Sequence, residues 1–347
     1  MDEIDELLQH ISKSPESRKL VLMPITRLLI EDVCRIGKLC IFPPGAIDIR
    51  RFRPIPNKEI LPSDSGVSAY AGQDLREVCT SITGFDIETL ANLPLVAFVA
   101  EIEWDTFLSQ THQDDIECLH HLNAIAEQSL DLIRFHFCRF DLPDTLPGMA
   151  GAWGGADAFL GALIYTLPDH ESYLIAGSAI ECSMVVKGIG LDLSVDMSES
   201  PPSHSDGEVG AVAAHGLSMF SDVMTASNST LKFIRATTLI EFLANPDNYR
   251  QWQKLKGDIV CHIAKNKTEY HELMHRFKEL ASTVDESKKQ GRTLNSLVPN
   301  PDERKKLFLE LQRYTGCVLG DMLDNRHMTW VEFQQFRLDK KTTLGVA

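Results

Sequence analysis

The pattern of apolar and polar positions changes period about half-way along the chain. Residues 2–12 carry the three-to-four spacing of a short amphipathic helix, and Leu20–Pro24 opens a second element. From Leu28-Leu29-Ile30 to Cys40-Ile41-Phe42 the chain is apolar and branched enough for strand or buried helix. Pro43-Pro44-Gly45 ends it, because proline brings no amide hydrogen and glycine permits a turn. Prolines at 54, 56 and 62 predict an irregular excursion from Ile47 to Ser68, and Pro94–Ile102 predicts a short, fully buried strand.

Between Asp114 and Ile133, the apolar positions Ile116, Leu119, Leu122, Ile125, Ala126, Leu130 and Ile133 recur mostly every three or four residues and predict a helix with one buried face. Arg134–Phe140 then alternates almost strictly, which is the period of a strand with one face on a core. Further strands are expected around Ser172–Ile180 and Cys182–Val195. Residues 196–210 are rich in serine, proline, glycine and acid, with almost nothing to bury, and read as a linker.

After it the texture is helical. Helices are expected over Thr230–Leu243, along the ladder Leu255, Ile259, Ile263, Tyr270, Leu273, Phe277, Leu280 (one helix, or two broken near Asn266), from Pro299 through Met322, and over Thr329–Leu338. These patterns give an α+β protein in two parts, an acidic mixed α/β domain over 1–205 and an α-helical domain over 206–340.

Composition sharpens this division. A chain of 347 residues, 44% hydrophobic and 24% charged, can bury a substantial core and divide in two. Its formal charge of −15 argues against indiscriminate nucleic-acid binding, but the charge is uneven. From Arg250 onward there are 18 basic and 13 acidic residues, leaving 16 against 36 before it. Eight cysteines without a C-x-x-C pair read as small buried hydrophobes in a reducing compartment. An acidic N-terminus and the lack of a long apolar run predict a cytoplasmic protein with no membrane partner.

Three motifs invite chemistry. His271-Glu272-Leu273-Met274-His275 matches H-E-x-x-H, in which His271 and His275 would be zinc ligands and Glu272 would polarise the bound water. Helical phase opposes this. With the stripe Tyr270, Met274, Phe277, Ala281 at 0°, steps of about 100° put His271 near 100°, His275 near 140° and Glu272 near 200°, so they sit on the flank and the solvent side. The cluster His112, Asp114, Asp115, Glu117, His120, His121 reads better as the acidic start of a helix than as a ligand set. The run Gly148–Gly155 lacks both the P-loop ending and the dinucleotide spacing, and reads as a flexible surface loop.

A resemblance adds a more specific expectation. A helix around Phe233–Leu243, a second ending near Ile263-Ala264, a third running into Gly291-Arg292-Thr293-Leu294, and a closing helix over Lys306–Leu323 are together similar to the HEPN-like helical domain of ApeA-type bacterial phage-defence proteins. The resemblance covers about a third of the chain. It implies an all-α HEPN-like bundle, a homodimer, and an Arg-x-x-x-x-His pair acting on RNA, where guanidinium grips phosphate and imidazole moves a proton. Here no arginine has histidine five positions later, and aligning Gly291 puts Asp285 and Gln290 at the signature positions. Lys288, Lys289 and Arg292 remain as RNA-backbone contacts.

The leading expectation is thus a non-catalytic HEPN-like component of a bacterial defence or toxin–antitoxin-like system, without cofactor, acting through protein partners and RNA. The alternative is a zinc metallopeptidase. The leading reading requires that no arginine and histidine from distant positions meet in one pocket.

Overall fold

Ile4, Leu7 and Ile11, spaced on one helical face, seat α1 (Glu3–Ser12) on a β-sheet. This is a computed structural model. It describes residues 3–49, 53–54, 69–70, 73–74, 87–109, 112–142, 146–153, 159–167, 171–179, 189–190, 200–203, 206–247 and 252–347. The strands are β1 (Arg18–Pro24), β2 (Leu28–Leu29), β3 (Cys34–Ile36), β4 (Leu39–Phe42), β5 (Arg53–Pro54), β6 (Ala69–Tyr70), β7 (Gln73–Asp74), β8 (Leu95–Glu101), β9 (Ala152–Trp153), β10 (Phe159–Tyr165), β11 (Glu171–Ala179) and β12 (Ile189–Gly190). Three helices, α2 (Ile87–Ala91), α3 (Trp104–Ser109) and α4 (His112–Phe137), accompany them.

The main sheet runs β3-β4-β8-β1-β10-β11-β5, with β9 on β10, and is antiparallel except for the β11–β5 pair. β2 pairs with β12 and β6 with β7 in two small ladders. Register puts Cys40, Ala97, Leu22 and Leu163 in one row across four strands, and this row packs under α1. Val21, Met23, Val96 and Phe98 on the opposite face are buried too, so the central strands read as continuous apolar runs. That explains why 20–24 and 94–102 stand out in the sequence.

Several expectations change. Arg134–Phe140 is not a strand, because α4 continues to Phe137. Arg134, counted as an outward polar position, is buried and donates to Asp131 one turn earlier (2.9 Å), so the helical period persists. The glycine run is not a free surface loop over its described part. Gly148 N–H donates to Thr26 O (2.8 Å) and Gly151 N–H to Pro24 O (2.7 Å), and a Cβ on Gly148 would lie 2.1 Å from Thr26 Oγ1. Asn123 and Glu127 of α4 hold both backbone groups of Ala150. The expectations for Ile47–Ser68 and Cys182–Val195 fall mostly outside the described residues. Phe159–Tyr165, a sheet strand between β1 and β11, carries no alternation to announce it.

The chain divides into two compact units, Met1–Leu130 with Asp144–Ser200, and Asp131–Pro143 with Pro201–Ala347. Residues 131–143, expected in the first part, belong with the helices. The second unit is all-helical among its described residues: α5 (Glu208–Met224), α6 (Ser229–Ala244), α7 (Trp252–Ile263), α8 (Lys267–Gln290), α9 (Leu294–Leu297), α10 (Pro301–Asp324) and α11 (Trp330–Thr343). The ladder beyond Leu255 is two helices, because the Asn266 side chain accepts from Glu269 N–H and caps α8. Gly291 ends α8 with φ +67°, and Thr329 with Glu332 forms a capping box on α11. Helix α10 packs on α5, α6 and α7 through Leu307, Phe308, Leu311, Val318, Leu319 and Met322. Helix α5 begins inside the expected linker.

Residues 131–142 are built into this bundle. Asp131 accepts from Ser221 Oγ (2.6 Å), Gln312 bonds Phe140 N–H and Cys138 O (both 2.8 Å), and the buried Lys232 donates to Phe140 O (3.0 Å). Phe140 packs on Phe220 with ring centroids 4.7 Å apart.

Candidate functional site

Helix α8 carries most of the residues that the sequence singles out. Its buried stripe is Tyr270, Leu273, Phe277, Leu280, Ala281 and Val284, close to the expected phase, with Met274 only half-buried. His271, Glu272 and His275 are therefore exposed, and His275 Nδ1 lies 3.3 Å from Glu279 Oε1 one turn on. The two histidines are open to solvent, and Glu272 is an exposed residue at the edge of a hollow that it shares with Leu273 and Arg276. Among the described residues no three His, Cys, Asp or Glu side chains gather as a metal-binding group. The other cluster opens α4 at His112, with Asp114 and Asp115 in the first turn, as a helix start would have it.

The basic end of α8 is locally neutralised. Lys288 Nζ reaches inward to Glu241 Oε2 (2.9 Å) and Thr238 Oγ1 (3.0 Å) of α6. Lys289 pairs with Asp285 (2.9 Å) and Arg292 with Glu286 (2.5 Å). Each cation thus has its own carboxylate, so these three positions offer a phosphate backbone little net charge. Asp285 is thus paired with Lys289.

An arginine and a histidine from distant positions do meet, at Arg337 of α11 and His262 of α7. Arg337 Nε donates to His262 Nε2 (3.0 Å), while its two terminal nitrogens donate to Ala244 O (2.9 Å) and Leu243 O (2.8 Å), closing the C-terminus of α6. Its guanidinium lies over Phe333 (4.9 Å) and Trp330 (5.2 Å). Since arginine nitrogen only donates, His262 Nε2 accepts, and Nδ1 carries the proton that it gives Asp321 Oδ2 (2.6 Å). Lys340 also binds that oxygen. Burial, together with the Arg337 charge, pushes the imidazole down to about 4 against the pull of Asp321. Burial alone would raise Asp321, but its hydrogen bonds to His262 and Lys340 prevail and hold it low. Arg337 is 1% exposed and His262 is buried, so the pair ties four helices together inside the core, and neither residue lines the two hollows between α8 and α10.

No family model, curated protein or solved structure matches this chain.

A concave surface of the helical unit lies between α8 and α10. Arg276 crosses it as a two-pronged bridge to Glu310, Nε to Oε1 and a terminal nitrogen to Oε2 (both 2.9 Å), and also reaches Glu279 (3.1 Å). Tyr314 donates to Glu310 Oε1 (2.5 Å), and burial with that bond raises its phenol far above the usual range. The Glu310 bond likewise holds the Arg276 guanidinium charged. Arg313 donates to Glu269 (3.0 Å). Two hollows, of about 520 Å³ and 380 Å³, flank the bridge and share Arg276 and Glu310. Nothing in the local sequence marks Arg276, because its partner Glu310 lies 34 residues on. Sequence reasoning missed Arg337 and His262, although the i, i+4 spacing of Phe333 and Arg337 and the i, i+3 spacing of Ile259 and His262 place both on buried faces.

Proposed function

We propose that this chain is a non-catalytic component of the HEPN-like kind, in a bacterial defence or toxin–antitoxin-like setting, whose helical unit works by binding protein partners. The carrying observation is a close Arg–His contact, Arg337 with His262, that is buried in the core and engaged in holding helices. A general base must reach the proton it takes and must bind one near neutral pH, and a buried imidazole held at about 4 does neither. The order of helices along 229–324, with the third running into Gly291-Arg292-Thr293-Leu294, supports the HEPN-like likeness. The neutralised end of α8 favours protein over RNA as the ligand.

The test is to incubate the purified protein with labelled RNA in EDTA and follow cleavage and gel mobility at low salt. Intact RNA is expected, with a shift no stronger than for a triple Lys288→Ala, Lys289→Ala, Arg292→Ala variant. Robust cleavage would overturn the reading, and a shift abolished by that triple variant would make RNA the ligand. The described helices include none long and apolar enough to cross a membrane.

A further inference from the structure

We propose that the cleft between α8 and α10 is a docking groove for a basic amphipathic helix of a partner protein, which places one apolar side chain on each side of the Arg276–Glu310 bridge. The proposal rests on the reading above that the helical unit binds protein, and it names the surface and the partner's chemistry.

The groove arises from how α8 is held. Its backbone packs closely against α7 and less so against α6, whereas it reaches α10 through long side chains, the Arg276–Glu310 and Arg313–Glu269 pairs. The two helix backbones therefore stand apart and leave hollows beside the Phe277–Tyr314 contact, where the rings lie 4.8 Å apart. The α8 wall runs from Glu269 to Thr283, about 21 Å at 1.5 Å per residue, which is long enough for four turns of a partner helix.

Spacing and charge define the occupant. Leu273 lies in one hollow and Leu280 in the other, seven residues and about 10.5 Å apart along α8, which is the rise between positions i and i+7 of an opposing helix. On the α10 side Leu309, 38% exposed, supplies apolar wall to one hollow, while the buried Leu307 only floors the other. The lining holds five glutamates against three cations. Arg276 holds Glu310 and Glu279, and Arg313 holds Glu269. Glu272 and Glu303, one at each hollow, have no ion-pair partner among the described residues, and Lys306 is the sole cation left over there. A helix with two apolar anchors flanked by lysines or arginines matches this surface, and an acidic one is repelled by it.

The test uses the full-length protein and two labelled synthetic helical peptides, each with leucines at i and i+7, flanked in one by lysines and in the other by glutamates. Fluorescence anisotropy is expected to show saturable binding of the lysine peptide. The double variant Glu272→Lys, Glu303→Lys should weaken it about tenfold or more and gain affinity for the glutamate peptide, and Leu309→Asp should weaken it too. Reversing Asp324 and Asp339 to lysine, away from the groove, should leave it unchanged, with circular dichroism matching all variants in fold. Equal binding of the two peptides, insensitivity to the Glu272 and Glu303 reversals, equal loss with the distant reversals, or no saturation by about 1 mM would each overturn the groove. RNA cleavage would instead remove the protein-binding reading itself, so the two failures are distinguishable.

Discussion

A single arginine illustrates how chemistry that looks catalytic can be structural. Arg337 follows Phe333 by one turn on the buried face of α11, and a guanidinium there must find acceptors. It finds two terminal carbonyls of α6 and an imidazole nitrogen, so its phase is legible in the sequence while its partners, 75 to 94 residues away, are not. The consequence is a pH dependence. His262 is neutral in the fold down to about pH 4, while the unfolded chain takes up its proton near 6.5. Stability from this group is therefore complete above about pH 6.5 and falls as pH drops toward 4, by about 3 kcal/mol in all. Asp321 is held below its ordinary carboxylate value, so its contribution is lost only at lower pH, as pH falls through its depressed folded value, and does not mask this window. Urea unfolding at pH 7 and pH 4.5 should show the loss, and His262→Gln, whose amide can both accept and donate but does not titrate, should reduce it.

At the scale of elements, caps and close approaches decide what periodicity leaves open. Asn266 settled the break between α7 and α8, and Asn300 with Pro301 started α10 as the sequence suggested. Helix α5 escaped notice because its first turn is capped by another part of the chain and not by its own side chain. Gly210 N–H donates to Arg326 O (2.8 Å) and Val209 N–H to Met328 O (3.1 Å), while Glu208 returns the favour at Trp330 N–H (2.6 Å). A Cβ on Gly210 would sit 2.9 Å from that Arg326 oxygen. Gly210→Ala is accordingly expected to lower stability by about 1–2 kcal/mol, overpacking outweighing the gain of roughly 1 kcal/mol that alanine normally brings to a helix. Thermal unfolding checks the sign. The short alternation of Arg134–Phe140 misled for the complementary reason, since a buried ion pair made a polar position an inward one.

For the whole molecule, the boundary between units was only partly visible. The Ser/Pro-rich stretch marks the passage to helices near residue 201, but nothing in 131–143 signals that it packs with them, because its partners Ser221, Lys232 and Gln312 lie 90 to 174 residues on. A fragment of residues 201–347 alone would uncover Phe220 and leave the buried Lys232 without its carbonyl acceptor. Such a fragment should unfold at lower temperature than one in which residues 131–143 are restored through a short flexible linker, and calorimetry of the two decides it. The fold class was read from period, whereas the engaged Arg–His pair could be read only from coordinates. Nitrogen-15 NMR of the His262 imidazole across pH 4 to 8 tests the central claim most directly. A neutral ring with its proton on Nδ1 throughout pH 5.5–8 is predicted, and titration near 6.5 with exchange to solvent would contradict it.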